Sequence, residues 1–487
     1  MWTRSWRFCA VLPLSIPMTA IVTIAAIAGL VWGLIIAARG SLLLGCVLYL
    51  IAAACFGPYL LSFDVAGITL SLDRVFLVGL VGAAVLQRKL GQTDPKPLAG
   101  VDVAMIGLVG VLAISTFTHD YHDAGPADVP IVQHLLNGYC IPLVIYWIAR
   151  QATLDEREVT RVLIALTLFG VYLAVIGILE GLGQYGLVYP RYIANPELGL
   201  HFGRARGPMV HSVSYGIYLD TCLLACGLWM TKQSRGGKLA LATLIPLFLL
   251  AIIFTKTRSV WMGAGTGVLI VLAFKLQGRM RVAILASAVA AVVLVLAAKT
   301  DAFLGLQREG TVQDTRQSAD MRKVFTYVSW KMFQDKPLWG VGFGQFAKAK
   351  LPYLTDHDTH LQLETIRQYV HHNTFLSILT ETGLIGLGIF LAMLWGWARA
   401  GWQLVRDHHS PAWMQRHGLL LLGMLGIAVW QMLFHEITFT TLDQSLLYFV
   451  VGVGVGLRQM LVHRPQSHPV AYATTPWYQR SPLPANR

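Results

Sequence analysis

The sequence predicts an all-α protein: a polytopic transmembrane helical bundle of about 12–13 spans with one large periplasmic loop. Three observations predict it. Of 487 residues, 55% are hydrophobic and only 13% are charged, where a soluble domain carries about 25% charge. The mean hydropathy is +0.58. The apolar residues form long runs that are apolar all round, as helices in lipid must be. Charge depletion of this depth excludes a soluble enzyme, a disordered protein and a disulfide scaffold. About twelve spans of about 20 residues leave room for one sizeable extramembrane loop and no separate soluble domain.

The candidate spans lie near 14–38, 41–62, 67–87, 101–117, 131–149, 160–180, 211–230, 238–255, 258–275, 281–298, 372–397, 416–435 and 443–461. The first apolar stretch is too long and continuous for a cleaved signal, so it reads as a spanning helix. Short basic connections orient the bundle by the positive-inside rule. Gln87-Arg88-Lys89, Arg150 to Arg161, Lys232 to Lys238, Lys275 to Arg281 and Arg399 to Arg416 fall on one side, which is expected to be cytoplasmic. The acidic loop around His119 to Asp128, the 181–210 loop, the 299–371 loop and the 436–442 turn fall opposite. Thirteen spans with a cytoplasmic C-terminus would leave Arg4 and Arg7 outside; twelve, with both ends inside, would not. The chain divides into an N-terminal transmembrane region (1–237), a core with its periplasmic loop (238–400, loop 299–371), C-terminal helices (401–461) and a Pro-, His- and Ser-rich tail (462–487) expected to be disordered.

The net charge is +13. In this composition it points to cytoplasmic loops and to anionic lipid groups, not to nucleic acid. The six cysteines sit in or beside apolar runs without zinc spacing, so they read as packing residues.

Four segments on the expected outer side carry chemistry. Phe202-Gly203-Arg204-Ala205-Arg206-Gly207-Pro208 sets arginines beside glycines, which would allow close backbone approach to an oxyanion; the bland alternative is a long loop that crosses regardless of charge. Thr255-Lys256-Thr257-Arg258-Ser259-Val260-Trp261 squeezes a Lys-x-Arg pair into a tight turn at two helix mouths. Arg258 suits a lipid phosphate through its planar fork, or is a snorkelling residue with Trp261 as interface anchor. The 299–371 loop holds Arg316, Arg322, Lys323, an amphipathic stretch from Val324 to Gln334, and the alternating Gly340, Gly342 and Gly344, which are weak evidence for a phosphate cradle. Asp356, His357, Asp358 and His360 admit a metal reading but lack a partner at helix spacing. Finally, Val370-His371-His372-Asn373-Thr374 lies where that loop re-enters the membrane. A histidine at a helix N-terminus facing a charged loop is placed for proton transfer, or is an interface histidine. Gly383, Gly386 and Gly388 downstream read as close helix packing. Glu180 and Asp220, near spanning helices, could bind sugar hydroxyls or line a cavity.

His372-Asn373, nine residues, then Gly383-Leu384-Ile385-Gly386 resembles the signature of the O-antigen ligase and polymerase family. Thr257-Arg258-Ser259 opening a helix supports it, as does Arg322 ahead of Lys336-Pro337-Leu338-Trp339-Gly340-Val341-Gly342. The resemblance covers about 240–400. It implies a metal- and cofactor-independent glycosyltransferase of the bacterial inner membrane with a periplasmic active site. The implied donor is a glycan on polyprenyl (undecaprenyl) pyrophosphate, and the acceptor is lipid A-core or another lipid or glycan. By resemblance, Arg258 and Arg322 hold the pyrophosphate and His372 is the general base. Arg206 resembles a less fixed upstream arginine that would also bind donor. His211-Ser212 stands where relatives often have Pro-Asn. The ligase reading is placed first. A repeat-unit polymerase is the alternative within the family, and a lipid-linked oligosaccharide flippase the alternative outside it, although a flippase would want its charges along the bundle midplane. A non-catalytic envelope-assembly component would not need Arg258, Arg322 and His372 together.

Overall fold

The computed structural model describes residues 33, 37–57, 62–65, 68–119, 129–283, 286–287, 312–356 and 359–462. Almost all of them are helical. The principal helices are α1 (Leu42–Cys55), α2 (Leu72–Lys89), α3 (Gly100–Thr118), α4 (Ile131–Gln151), α5 (Glu156–Gly181), α6 (Ser212–Met230), α7 (Arg235–Phe254), α8 (Arg258–Lys275), α9 (Val312–Asp335), α10 (Thr374–Arg406), α11 (Ala412–Phe434) and α12 (Thr441–Val462). Among the described residues eight of these, α3 to α7 and α10 to α12, are long and apolar enough to cross a membrane. The expected spans 14–38 and 281–298 and the tail lie largely outside the described residues. Two other expectations are modified. The 41–62 run is helical only over Leu42–Cys55. The 67–87 run opens as a strand: β1 (Ser62–Val65) pairs antiparallel with β2 (Ile68–Ser71), Ser62 opposite Ser71, before α2 begins. Ile68-Thr69-Leu70-Ser71 alternates apolar and polar residues, a period that suits a strand.

Successive helices run up and down, so their ends gather at two poles. The short basic connections meet at one pole, where Lys232 and Arg416 both reach Glu156, at 2.8 and 3.4 Å. Arg150 belongs to this pole but is fully buried. It pairs with Asp102 at 2.8 Å and donates to Gln459 at 2.9 Å, joining α4 to α3 and α12. Close approach of α12 to α4 makes this possible. A Cβ on Gly452 would lie 2.5 Å from the Tyr146 carbonyl oxygen, and one on Gly456 2.9 Å from that of Arg150, the small-xxx-small packing of membrane helices. Removing one partner of such a buried pair costs roughly 3–5 kcal/mol.

The opposite pole carries the segment from α9 to α10. Its small apolar core includes Val324, Phe325, Val328, Met332, Val341, Phe346, Leu354 and Ile366. This segment is fastened to the bundle at a break in α10, where Gly383 adopts φ 65° and ψ −160°. The break leaves carbonyls and amides without helical partners, and the 337–344 stretch satisfies both sets. Val341 and Gly342 donate to the carbonyls of Thr380 (2.9 Å) and Glu381 (3.0 Å), while Leu384 and Ile385 donate to those of Pro337 (2.9 Å) and Leu338 (3.3 Å). Gly344 donates to the buried Glu381 carboxylate at 2.9 Å. Side chains are excluded from the join: a Cβ on Gly340 would sit 2.4 Å from the Glu381 carbonyl carbon, and one on Gly383 2.3 Å from Leu338. The alternating glycines are thus a backbone clasp: the amides of Gly342 and Gly344 go to α10 and its carboxylate, Gly340 packs against the Glu381 backbone while its amide donates to the Lys336 carbonyl, and Gly383 is a helix break instead of a packing surface between helices.

Candidate functional site

His372 precedes α10, and its position is set by the two residues after it. Asn373 is the N-cap: its Oδ1 accepts from the Leu376 amide at 2.9 Å, and its Nδ2 donates to the Leu433 carbonyl at 2.9 Å. The Thr374 hydroxyl donates to the His435 carbonyl at 3.0 Å. One side chain therefore starts the helix and both tie it to the end of α11. From α9, Phe325 packs on the His372 ring with centroids 5.2 Å apart. One helical turn earlier Arg322 lies over Phe434, 5.1 Å from the ring centre. Arg322 is exposed, as is one edge of His372. The protein crowding the His372 ring, and then the Arg322 charge, hold its pKa below the ordinary histidine value, against a hydrogen bond to the His371 backbone that raises it. At neutral pH the ring is an uncharged acceptor.

His371 plays a different part. It is buried against Phe346, centroids 3.5 Å apart, and neither ring nitrogen has a hydrogen-bond partner. Burial, then the charges of Lys350 and His372, push its pKa well down. It belongs to the core of the α9–α10 segment.

Arg258 is the first residue of α8, half-buried, with Thr257 as N-cap. Thr257 donates to the Ser212 hydroxyl at 3.2 Å, and Ser212 meets His201 Nδ1 at 2.8 Å. Ser259, on the other side of Arg258, meets His435 Nε2 at 3.0 Å. His435 links the two halves of the site, because its electrostatic surroundings contain His211, His372, Arg322 and His201. Burial and these charges push its pKa down to about 3. His211 is likewise pushed down to about 4 by burial. It caps α6, and Ser214 passes from it to Asp443 at 2.8 Å. The site therefore joins Arg322 and His372 to His435, with Arg258 adjacent through Ser259.

Arg206 is placed differently. It is fully buried, and its guanidinium donates to the carbonyls of Leu198 (2.5 Å), Ile193 (3.0 Å) and Asn195 (2.7 Å) while lying over Phe202. Its own amide and that of Gly207 donate to buried Glu180 at 3.1 and 2.7 Å. Glu180 thus serves the loop backbone. Asp220 is fully buried among α6, α8 and α11, and neither carboxylate oxygen has a hydrogen-bond partner. Asp356 accepts from Tyr327 at 2.8 Å and pairs with Lys331 at 3.4 Å; His357 and Asp358, from the same candidate metal cluster, lie outside the described residues.

Sequence reasoning did not single out Phe434 or His435, and named Ser259 only as part of the Thr257-Arg258-Ser259 motif. The available signal was weak: a polar Phe434-His435-Glu436 step in a short connection between two apolar helices.

No curated protein matches the chain. Residues 221–391 match the family model described as O-Antigen ligase, a stretch that contains Arg258, Arg322 and His372, begins after Arg206 and ends before His435.

Proposed function

We propose that the chain is a membrane glycosyltransferase of the O-antigen ligase type. It transfers a glycan from polyprenyl pyrophosphate to an acceptor hydroxyl, of lipid A-core or a similar acceptor, at the periplasmic face of the inner membrane. The observation that supports this reading is a chain of contacts: Ser259, next to Arg258, meets His435, the His435 carbonyl accepts from Thr374, two residues after His372, and Arg322 lies over Phe434, the residue before His435.

The reaction needs two things at once, and the residue types supply both. The acceptor oxygen attacks the anomeric carbon of the donor sugar, and its proton passes to the His372 imidazole. The bond from the anomeric carbon to the diphosphate oxygen breaks, and the polyprenyl diphosphate leaves with the electron pair. Arg322 and Arg258 hold that diphosphate and stabilise the charge that grows on it. A neutral imidazole can take the proton directly. Burial of the ring, with the Arg322 charge beside it, keeps it neutral in the free enzyme, and the bound diphosphate offsets the arginine charge once the proton has arrived. Arg206 braces the 181–211 loop under this reading, since three of its N–H groups already donate to loop carbonyls.

The test is a reconstituted assay with purified undecaprenyl-pyrophosphate glycan, run with lipid A-core and with donor alone, for wild type and His372→Ala. Transfer to lipid A-core establishes a ligase. Growth of the glycan on donor alone establishes the polymerase of the same family. No product in either arm, with lipid-linked glycan crossing proteoliposome membranes, would establish a flippase and overturn the proposal. Equal rates for His372→Ala and wild type would remove the proposed base.

A further inference from the structure

We infer that His435 is a third donor-binding group, a neutral imidazole whose Nδ1–H hydrogen-bonds the diphosphate between Arg258 and Arg322. This inference rests on the reading above and adds a residue beyond the matched stretch.

Three contacts fix where His435 stands. Its Nε2 meets the hydroxyl of Ser259, the neighbour of Arg258. Its carbonyl accepts from Thr374, two residues after His372. The preceding side chain, Phe434, is the surface on which Arg322 lies. His435 is therefore tied by hydrogen bonds to the segments carrying the first arginine and the proposed base, and by one chain step to the second arginine. A diphosphate gripped by both arginines would lie beside this ring.

The chemistry of the ring follows from its surroundings. Burial, and the cluster of His211, His372, Arg322 and His201, keep it uncharged, so it carries one N–H. If the Ser259 hydroxyl donates to Nε2, that proton is on Nδ1, the edge Ser259 does not occupy. Glu436 Oε1 accepts from the Thr438 amide at 2.9 Å, the Thr438 hydroxyl at 2.5 Å and Thr374 at 3.3 Å, and burial pushes its pKa up. A positioned neutral donor beside two arginines strengthens as charge grows on the leaving oxygen, which is when such a contact accelerates the reaction.

The experiment compares His435→Ala, His435→Asn and His435→Gln in the full-length protein in nanodiscs. The Asn amide nitrogen stands where His Nδ1 does; that of Gln reproduces Nε2. Transfer from undecaprenyl-pyrophosphate glycan gives kcat and KM for the donor, and binding of glycan-free undecaprenyl pyrophosphate is measured in parallel. His435→Ala is expected to lower kcat/KM about 100-fold and to weaken binding of the glycan-free lipid. Asn is expected to recover at least about a tenth of wild-type kcat/KM, and Gln to stay near Ala. Recovery by Gln and not Asn would show that only the Ser259 tie matters and would overturn the inference, as would wild-type kinetics in His435→Ala. If Ala does not fold, the Asn–Gln comparison decides alone. Wild-type protein that transfers nothing would overturn the proposed function; weaker lipid binding by His435→Ala would still support the histidine contact, and unchanged binding would end it.

Discussion

Two arginine-bearing loops stand at the same pole of the bundle, and they use the same side chain in opposite ways. In the 181–211 loop, Arg206 is buried, with three backbone carbonyls on its guanidinium and a ring beneath it. In the α9–α10 segment, Arg322 is exposed, lies on Phe434, and its charge lowers the pKa of His372 and His435. A guanidinium held in the interior by three carbonyls organises a loop; one that lies exposed on a ring can reach a ligand. Charge and glycine content alone gave both loops the same reading. Burial and partners separate them.

The largest effect that tests this separation lies beside the open arginine. His372→Ala is expected to lower the transfer rate about 10²–10⁴-fold while leaving thermal stability and membrane insertion near wild type, because Asn373 and Thr374 hold the start of α10. A variant that loses its fold along with its activity would make His372 a structural residue like His371. Next comes Arg322→Ala, expected to cost about 10²–10³-fold in rate. Arg322→Lys and Arg258→Lys should recover little of it, since a point charge lacks the bidentate fork. Full activity in the lysine variants would show that the site needs only positive charge.

Arg206 should answer in stability. Arg206→Ala leaves buried carbonyls without donors, a cost of about 3 kcal/mol or more, so a lower melting temperature and poor expression are expected. Turnover per folded molecule should stay within about tenfold of wild type, less than any loss one oxyanion donor accounts for. A variant as stable as wild type yet inactive would move Arg206 into the donor site and erase the contrast between the loops.

How much of this could be read from the chain depends on whether the signal was local. Apolar runs predicted most of the spanning helices, because lipid exposure acts on each residue independently. Of the basic connections, those holding Glu156, Lys232 and Arg416 meet through ion pairs. Where local signals were ambiguous, reading failed: Ile68 to Ser71 is apolar enough for a span and alternates enough for a strand. The glycine clasp was illegible because it is a pairing between residues about forty apart. Gly342 and Gly344 look like part of a phosphate cradle until the broken helix at Gly383 supplies their partners. Arg258, Arg322 and His372 stood out in their own segments and by resemblance, but no spacing along the chain brings them together. His435 carries no motif, and only the folding of α11 against α8 and α10 gives it neighbours.

The smallest effect distinguishes the loops most sharply. A general base works only unprotonated, and His372 is held below the usual pKa near 6.5 by the protein around it and by Arg322. The acid limb of kcat/KM should therefore be centred below pH 6.5: activity persists as pH falls through neutrality and is lost only when the lowered pKa is passed. Removing the Arg322 charge takes away one of the two depressing influences. In Arg322→Gln the limb should move toward higher pH, although the plateau beneath it is low. His211 and His435, held near 4 and 3, titrate too low to mimic this limb. In Arg206→Gln the limb should stay where it is, because Arg206 is not among the charges that act on His372. A limb that moves equally in both variants would mean that the two arginines act on one field, and one that moves in neither would mean that the titrating base is not His372.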